Sequence, residues 1–302
     1  MKKKLTKSFK YLFFLLCFLF SMSFGISIGK YNHFPYGLIP YEFFYEIYKG
    51  RKHPSIIYSI ENKHLEKKLL EKRKKHLIRE IDSLGVYVTY GQSNTTNSGQ
   101  YGYKIKNKIY EFYKNEVYKY QDPTIGGGIT SNGGTVWGML GDLLVVNKIH
   151  NKVIFSISGR GGQTMEQLSD ETNYNRFKND YHSLKKKYGK VDGILFHQGE
   201  SNNFRLAGNG NYYNDFKSFL SKLVSDSINS KIYLSRVSHI IYGNDKDLIK
   251  IQNKIIKDFE QVLEGPNTDK FNLKEDRLPD GTHFSLLGYE KFAKEWMIYL
   301  KN

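Results

Sequence analysis

Cysteine is nearly missing from this chain: of 302 residues, Cys17 alone is one. It stands between Leu16 and Phe18 inside an apolar run, so no disulfide staples the fold and no thiol nucleophile exists outside that run. Its bulky neighbours argue against a lipid-modified cysteine, and a buried apolar role suffices. Proline is scarce too, with six residues, and neither an internal repeat nor a long proline- or serine-rich linker divides the sequence. One large catalytic unit therefore accounts for most of the chain more simply than several small ones. The nine histidines are scattered without metal-site spacing and the Asp and Glu residues form no ligand constellation, so chemistry without metal or organic cofactor is expected.

Negative charge is the minority sign, with 30 Asp and Glu against 46 Lys and Arg, a formal +16. Such a balance raises the question of nucleic acid, but the signatures that would accompany it are missing: no zinc-finger spacing, no glycine-lysine phosphate loop, no aromatic RNA-binding motif. The positive charge is also local, at Lys2, Lys3, Lys4, Lys7 and Lys10 and again from Lys63 to Arg79. No nucleic-acid partner is expected; anionic lipid or acidic polysaccharide suits the charge better.

Only one long hydrophobic run exists. Residues 11–29, YLFFLLCFLFSMSFGISIG, carry no charge and follow the first lysine cluster. That is the pattern of a signal peptide or a membrane anchor, and the run approaches spanning length at about 1.5 Å per residue. An uncleaved anchor is favoured, with the lysines cytoplasmic and the main body outside, periplasmic or at the cell surface; cleavage would leave the protein secreted.

What the chain has in plenty is aromatic rings, 24 Tyr and 20 Phe, enough with its aliphatic residues to build a sizeable core. Residues 30–60 are dense in them, between Pro35 and Pro40 and beyond, and residues 61–82 place Leu65, Leu69, Leu70, Leu77, Ile78 and Ile81 at the spacing of an amphipathic helix. The expected organisation is an anchor or signal at 1–29, an aromatic and charged helical stalk at 30–84, and a catalytic domain at 85–302.

From Val86 the pattern changes. Short apolar runs at Val86–Tyr90, Val153–Ile157, Ile194–Phe196 and Ile232–Val237 read as strands. Helix-like segments lie near 135–148, 172–188, 212–228 and 245–263, with a last one from Leu286 to Leu300 capped by Ser285. Strands alternating with helices of this length predict an α/β fold, a central mainly parallel sheet covered on both faces, whose ligands bind at the carboxyl ends of the strands.

Polar clusters stand at those ends. Gly91-Gln92-Ser93-Asn94 follows the first strand, where glycine leaves a serine open to approach. Ser158-Gly159-Arg160-Gly161-Gly162-Gln163-Thr164 follows the second, with glycines that let backbone amides face an oxyanion. After the third comes His197-Gln198-Gly199-Glu200-Ser201-Asn202-Asn203, offering an amide donor from Gln198 or Asn202 and a carboxylate, Glu200, to hold a neighbouring loop. Near the end, Asp280-Gly281-Thr282-His283 puts a carboxylate three residues from an imidazole that it can orient. Each cluster alone reads as well as a turn or a helix cap. Their shared placement and order turn four weak signals into one.

In that order, GQSN, the Gly-Gly turn, HQGESN and DGTHFS resemble the signature blocks of SGNH hydrolases, in particular the sialate O-acetylesterase-like branch of carbohydrate esterases. The resemblance runs from about Val86 to the C-terminus. It implies a three-layer α/β/α sandwich of SGNH, flavodoxin-like type, with Ser93 as nucleophile, His283 as general base and acid, and Asp280 as its orienting carboxylate. It implies an oxyanion hole from the Ser93 amide, an amide at Gly162 or Gly161, and a side-chain amide, Gln198 before Asn202, with Gln92, Asn94 and Glu200 in support. The substrate implied is an O-acetylated glycan. One departure stands out: the branch often reads Trp-Gly-Gly-Thr where this chain has Arg160-Gly161-Gly162-Gln163. Acetyl transfer to another sugar by the same triad, or a catalytically silent carbohydrate-binding role, are the alternatives.

Overall fold

The computed structural model describes residues 66–128 and 133–301. The expected anchor, Cys17 and the aromatic stretch at 30–60 lie outside the described residues. Among the described residues, no helix is long and apolar enough to cross a membrane.

In chain order the strands are β1 (Leu84–Gly91), β2 (Gly99–Gln100), β3 (Ile109–Tyr113), β4 (Glu116–Lys119), β5 (Gly133–Gly134), β6 (Lys152–Ile157), β7 (Gly193–His197), β8 (Ile232–Arg236) and β9 (Val262–Asn267). The helices are α1 (Trp137–Val146), α2 (Met165–Leu168), α3 (Glu171–Tyr188), α4 (Tyr212–Ser225), α5 (Lys246–Asp258) and α6 (Leu286–Leu300). β1 reads LGVYVTYG and is buried at all eight positions, as a β-branched and aromatic run covered on both faces should be. It is the middle of a seven-stranded sheet in the order β4, β3, β6, β1, β7, β8, β9. Every neighbouring pair is parallel except the hairpin β3 and β4. β2 and β5 form a separate antiparallel pair.

Alternation along β1 divides the core in two. Val86, Val88 and Tyr90 face one layer, where Phe177 and Tyr181 of α3, Phe216 and Phe219 of α4, and Leu248 of α5 pack. Tyr87 faces the other, with Trp137 and Leu140 of α1 and Phe292 and Trp296 of α6. Each such large side chain contributes roughly 1.5 to 3 kcal/mol by leaving water. The expected sandwich, with helices on both faces of a mostly parallel sheet, is what forms. Ser285 caps α6 as expected, its hydroxyl accepting from the Gly288 amide at 3.1 Å.

Three stretches depart from the expectation. The helix expected over 61–82 ends at residue 72 within the described chain; residues 73–82 are coil and turn, and Lys75 and His76 lie against the edge strand β4 instead. His76 donates its amide to the Val117 carbonyl at 2.7 Å, and Lys75 bridges Tyr118, so the backbone groups of edge strand β4 find partners that a helix could not supply. The hairpin of β3 and β4 turns through Lys114 and Asn115, both at positive φ, a twist-matched turn without the glycine that usually announces it. The helix expected to 263 stops at Asp258, and Val262 onward becomes β9, whose apolar residues pair with β8 instead of continuing a helical face.

Gly91 closes β1 at φ +141°, and a Cβ there would overlap the backbone carbonyl of His197 on β7. Gly91→Ala is therefore expected to cost more than about 3 kcal/mol, from a rare backbone conformation and a contact with immovable backbone together. A denaturant titration shifted by less than about 1 kcal/mol would contradict this packing.

Candidate active site

The nucleophile candidate comes first. Past Gly91 the chain enters a single 3-10 turn, Ser93–Thr95, and Ser93 begins it. The turn is fixed from below: the Ser93 carbonyl accepts from the Thr96 amide at 2.9 Å and the Thr96 hydroxyl at 2.8 Å. Gln92 ties it sideways to the loop after β7, its Oε1 accepting from the amides of Gly199 at 3.3 Å and Ser201 at 3.1 Å. The Gly-Gly loop after β6 passes directly alongside, since a Cβ on Gly161 would lie 3.5 Å from the Ser93 Cβ. Gly162 adopts φ +72°, which glycine enters without steric cost. Thr164 then caps α2 in a reciprocal capping box with Gln167, so the loop is anchored at its far end.

The Asp-His turn arrives from the opposite direction in sequence. Asp280 Oδ2 lies 2.8 Å from His283 Nδ1, and Oδ1 accepts from the backbone amides of Thr282 and His283, each at 2.9 Å. Burial alone would raise the Asp280 carboxyl, but the His283 bond and charge and the two backbone amides bring it down to about 2. It is a carboxylate throughout the neutral range. With Nδ1 engaged, the ring has Nε2 left for proton transfer.

Arg277 holds this turn, and nothing in the sequence marks it. Its guanidinium is buried, lies 3.8 Å from the centre of the Phe284 ring, and donates to the carbonyls of Phe271 at 2.6 Å, Thr282 at 2.6 Å and Thr268 at 3.0 Å. Burial lowers its affinity for the proton to about 10, against the pull of Glu200, Asp269, Asp276 and Asp280. It remains a cation at neutral pH.

A buried relay joins the three loops. His197 Nε2 is 3.0 Å from Glu200 Oε1, which also accepts from Asn94 Nδ2 at 2.8 Å, and Asn94 Nδ2 reaches the Thr282 carbonyl at 3.3 Å. Burial pushes the Glu200 carboxyl up; His197, by charge and hydrogen bond, and the Asn94 amide outweigh it, so the carboxyl ends below its ordinary value. Asn94 and Glu200 thus tie the serine turn, the loop after β7 and the Asp280–His283 turn together. His197 is fully buried against Glu200 and is a structural residue here, away from the cleft lining.

The expected amide donors are placed differently. Gln198 is fully buried, and its Nε2 donates to Asn202 Oδ1 at 2.7 Å and to the Gln163 carbonyl at 3.2 Å, which uses both of its hydrogens. Asn202 receives the Met165 amide at 2.9 Å and donates to the Gly208 carbonyl at 3.2 Å. Neither lines the cleft. Both brace the loop that carries Gly161 and Gly162 instead.

Ser93, Gly162, Asp280 and His283 do line one open cleft of roughly 510 Å³, with Gln92, Glu200 and Ser201. Leu206, Ile240, Ile241 and Tyr242 supply its apolar side. A serine, an imidazole with one nitrogen held by a carboxylate, and a glycine loop beside the serine are the parts of an acyl-transfer site. Among the described residues no group of three or more His, Cys, Asp or Glu could hold a metal ion.

A family model described as carbohydrate esterase, sialic acid-specific acetylesterase, matches residues 83–297. Among solved structures the chain is similar to an Arabidopsis thaliana protein at 13% identity and a TM-score of 0.58, over 73% of this chain and 98% of that one, a likeness of fold. It is also similar to a family 3 carbohydrate esterase from Clostridium thermocellum, 15% identical with a TM-score of 0.46 over 72% and 94% of the two chains. An acetyl xylan esterase from Geobacillus stearothermophilus is 14% identical, with a TM-score of 0.48 over 72% and 96%. No curated protein matches.

Proposed function

The chain belongs to the sialic acid-specific acetylesterase family of carbohydrate esterases, and on that premise we propose that it removes O-acetyl groups from a glycan through an acyl-serine intermediate on Ser93. It is a carbohydrate O-acetylesterase by family; the serine mechanism is the further step. The observation that carries that step is Asp280 Oδ2 at 2.8 Å from His283 Nδ1, in a cleft that Ser93 also lines.

Ser93 Oγ attacks the acetyl carbonyl carbon as its proton passes to His283 Nε2. Negative charge gathers on the carbonyl oxygen, and in this reading the backbone amides of Ser93 and Gly162 receive it. The bond from the carbonyl carbon to the sugar oxygen then breaks, the sugar oxygen takes the proton from His283, and the acetyl group remains on Ser93. Water repeats the sequence and releases acetate. Asp280 keeps the proton on Nδ1 and stabilises the imidazolium that exists at each transfer. The lysines ahead of the uncharged run at 11–29 support placing this reaction outside the cytoplasm, on an anchored or processed protein.

An organophosphonate that carries a serine-reactive leaving group tests the nucleophile directly. Treated protein is expected to lose acetate release from O-acetylated sugars and to gain one phosphonyl mass on the peptide containing Ser93. Label on another residue with full loss of activity, or full label on Ser93 with activity intact, would remove Ser93 from the role.

A further inference from the structure

The carboxyl ends of the strands carry the cleft; the amino ends carry a second cavity. It measures roughly 790 Å³ and opens beside Ile109 and Lys152, the first residues of β3 and β6, and Lys119, the last of the antiparallel β4. At about 3.3 Å per residue, the six residues of β6 set it roughly 20 Å from the edge where the cleft lies.

The walls of this cavity are preorganised. Asp142, buried on α1, accepts at Oδ2 from the Lys106 amide at 2.8 Å and the Tyr103 hydroxyl at 2.7 Å, and at Oδ1 from the Asn107 amide at 2.8 Å and Asn107 Nδ2 at 3.0 Å. The loop that brings Lys106 and Lys108 to the cavity is thereby pinned, and the carboxylate beneath it is occupied by backbone and uncharged groups, not by the lysines. On another wall the His76 ring stacks on Tyr110, with centres 4.8 Å apart, while the His76 amide holds to β4.

Charge in the cavity is one-sided. Lys152 is engaged, its Nζ donating to the Glu80 carbonyl at 2.7 Å and lying 3.6 Å from the Glu80 carboxylate. The ammonium groups of Lys106, Lys108 and Lys119 have, among the described residues, neither a hydrogen-bond acceptor nor a carboxylate partner. Asp82 is the other carboxylate among the lining residues, so unpaired positive charge is in excess and an anion is attracted. Among the described residues that line the cavity there is no arginine. Lysine acts as a point charge, which suits a tetrahedral phosphate better than the planar carboxylate that an arginine fork grips. The volume exceeds what a bare phosphate fills, so the phosphate carries an organic part, whose carbon skeleton the His76 ring is placed to meet.

We propose that this cavity receives the phosphate headgroup of an anionic lipid and so seats the domain on a membrane surface with the cleft turned away from it. This rests on the anchored reading of residues 11–29: a chain tethered to a bilayer meets lipid phosphate at high effective concentration, where a few lysine contacts are enough.

The test reconstitutes the full chain with vesicles of phosphatidylcholine alone or mixed with phosphatidylglycerol. Flotation with the neutral vesicles reports the anchor, and single-hit acylation of lysines, read from peptide masses, reports the docked face. Anionic lipid is expected to lower the reactivity of Lys106, Lys108 and Lys119 by about fivefold or more against neutral lipid, the factor that one lysine gains at an anionic surface. Lys246 and Lys274, exposed beyond the carboxyl ends of the strands, should react equally on both. Added salt should remove the protection, and acetate release from a soluble substrate should be the same on both vesicles. Replacing the three by Lys106→Gln, Lys108→Gln and Lys119→Gln together should keep acetate release and abolish the protection of exposed Lys104 on the same loop. Flotation on both vesicles with equal lysine reactivity overturns the site and leaves the anchor. Protection on anionic vesicles without flotation on neutral ones overturns the anchor and leaves the site. Protection by glycerol phosphate in solution but not by vesicles, or protection of Lys246 and Lys274 in place of the cavity lysines, overturns the lipid-facing site.

Discussion

Ser93→Ala should lower acetate release by about 10⁴-fold or more while the protein still folds, because the change removes the oxygen that forms the covalent bond and little else. The turn's hydrogen bonds come from the Ser93 carbonyl to Thr96, and alanine keeps that carbonyl. Gln92 still holds the loop after β7, and the Gly161 backbone still has room beside the Cβ. A stability change within about 1 kcal/mol is therefore expected. The residual rate should exceed that of the uncatalysed ester, since oxyanion donors and glycan binding survive the substitution. The pre-steady-state burst with an aryl acetate should vanish along with turnover. A Ser93→Ala protein that keeps more than about a tenth of wild-type activity would mean that water, not Ser93, attacks the ester.

The parts of this site differ in how they can be read from the sequence, and the difference is physical. Ser93, Gly162 and the Asp280 and His283 pair are legible because the first two follow strands, whose ends converge on one edge of a parallel sheet, and the pair stands just ahead of the Ser285 helix cap. β1, β6, β7 and β8 announce themselves as apolar runs because they lie inside the sheet. The edge strands do not: β4 and β9 mix charge with apolar residues, as strands with fewer neighbours can, and β9 continues the spacing of α5. The misplacement of Gln198 has a related cause. A glutamine beside a catalytic loop can donate to the oxyanion or brace the loop, and the choice turns on the Gln163 carbonyl and Asn202 Oδ1, which tertiary packing brings within 3.2 Å and 2.7 Å. Arg277 was beyond reach for the same reason. Its acceptors are carbonyls of Phe271, Thr282 and Thr268, and backbone carbonyls leave no trace in residue type.

Asp280→Asn is the sharper test of the imidazole's role, since it alters one atom and one charge. In the native turn Oδ1 accepts from two backbone amides, Thr282 and His283, while Oδ2 takes the Nδ1 proton of His283. An asparagine must assign its single oxygen to one of these places. If the NH₂ faced the two amides, three donors would meet with no acceptor, at a cost of several kcal/mol for a partly buried site. The oxygen therefore stays with the backbone and the NH₂ turns toward Nδ1, which must then be unprotonated to accept. That moves the ring proton to Nε2, the atom required to take the proton of Ser93. The expected consequence is a fall in kcat of about 10⁴-fold, with KM little changed. Because the Asp280 carboxyl titrates near 2, the native carboxylate is present at any pH where the enzyme is assayed, so the comparison is not blurred by protonation of the wild type. Its favourable contribution is complete above its ordinary value of 3.8 and is lost only as pH falls through about 2. Nitrogen-15 spectra of the imidazole should show the proton on Nδ1 in the native protein and on Nε2 in the variant. The same tautomer in both, or a kcat within tenfold of wild type, would leave Asp280 as a structural brace of the turn and nothing more.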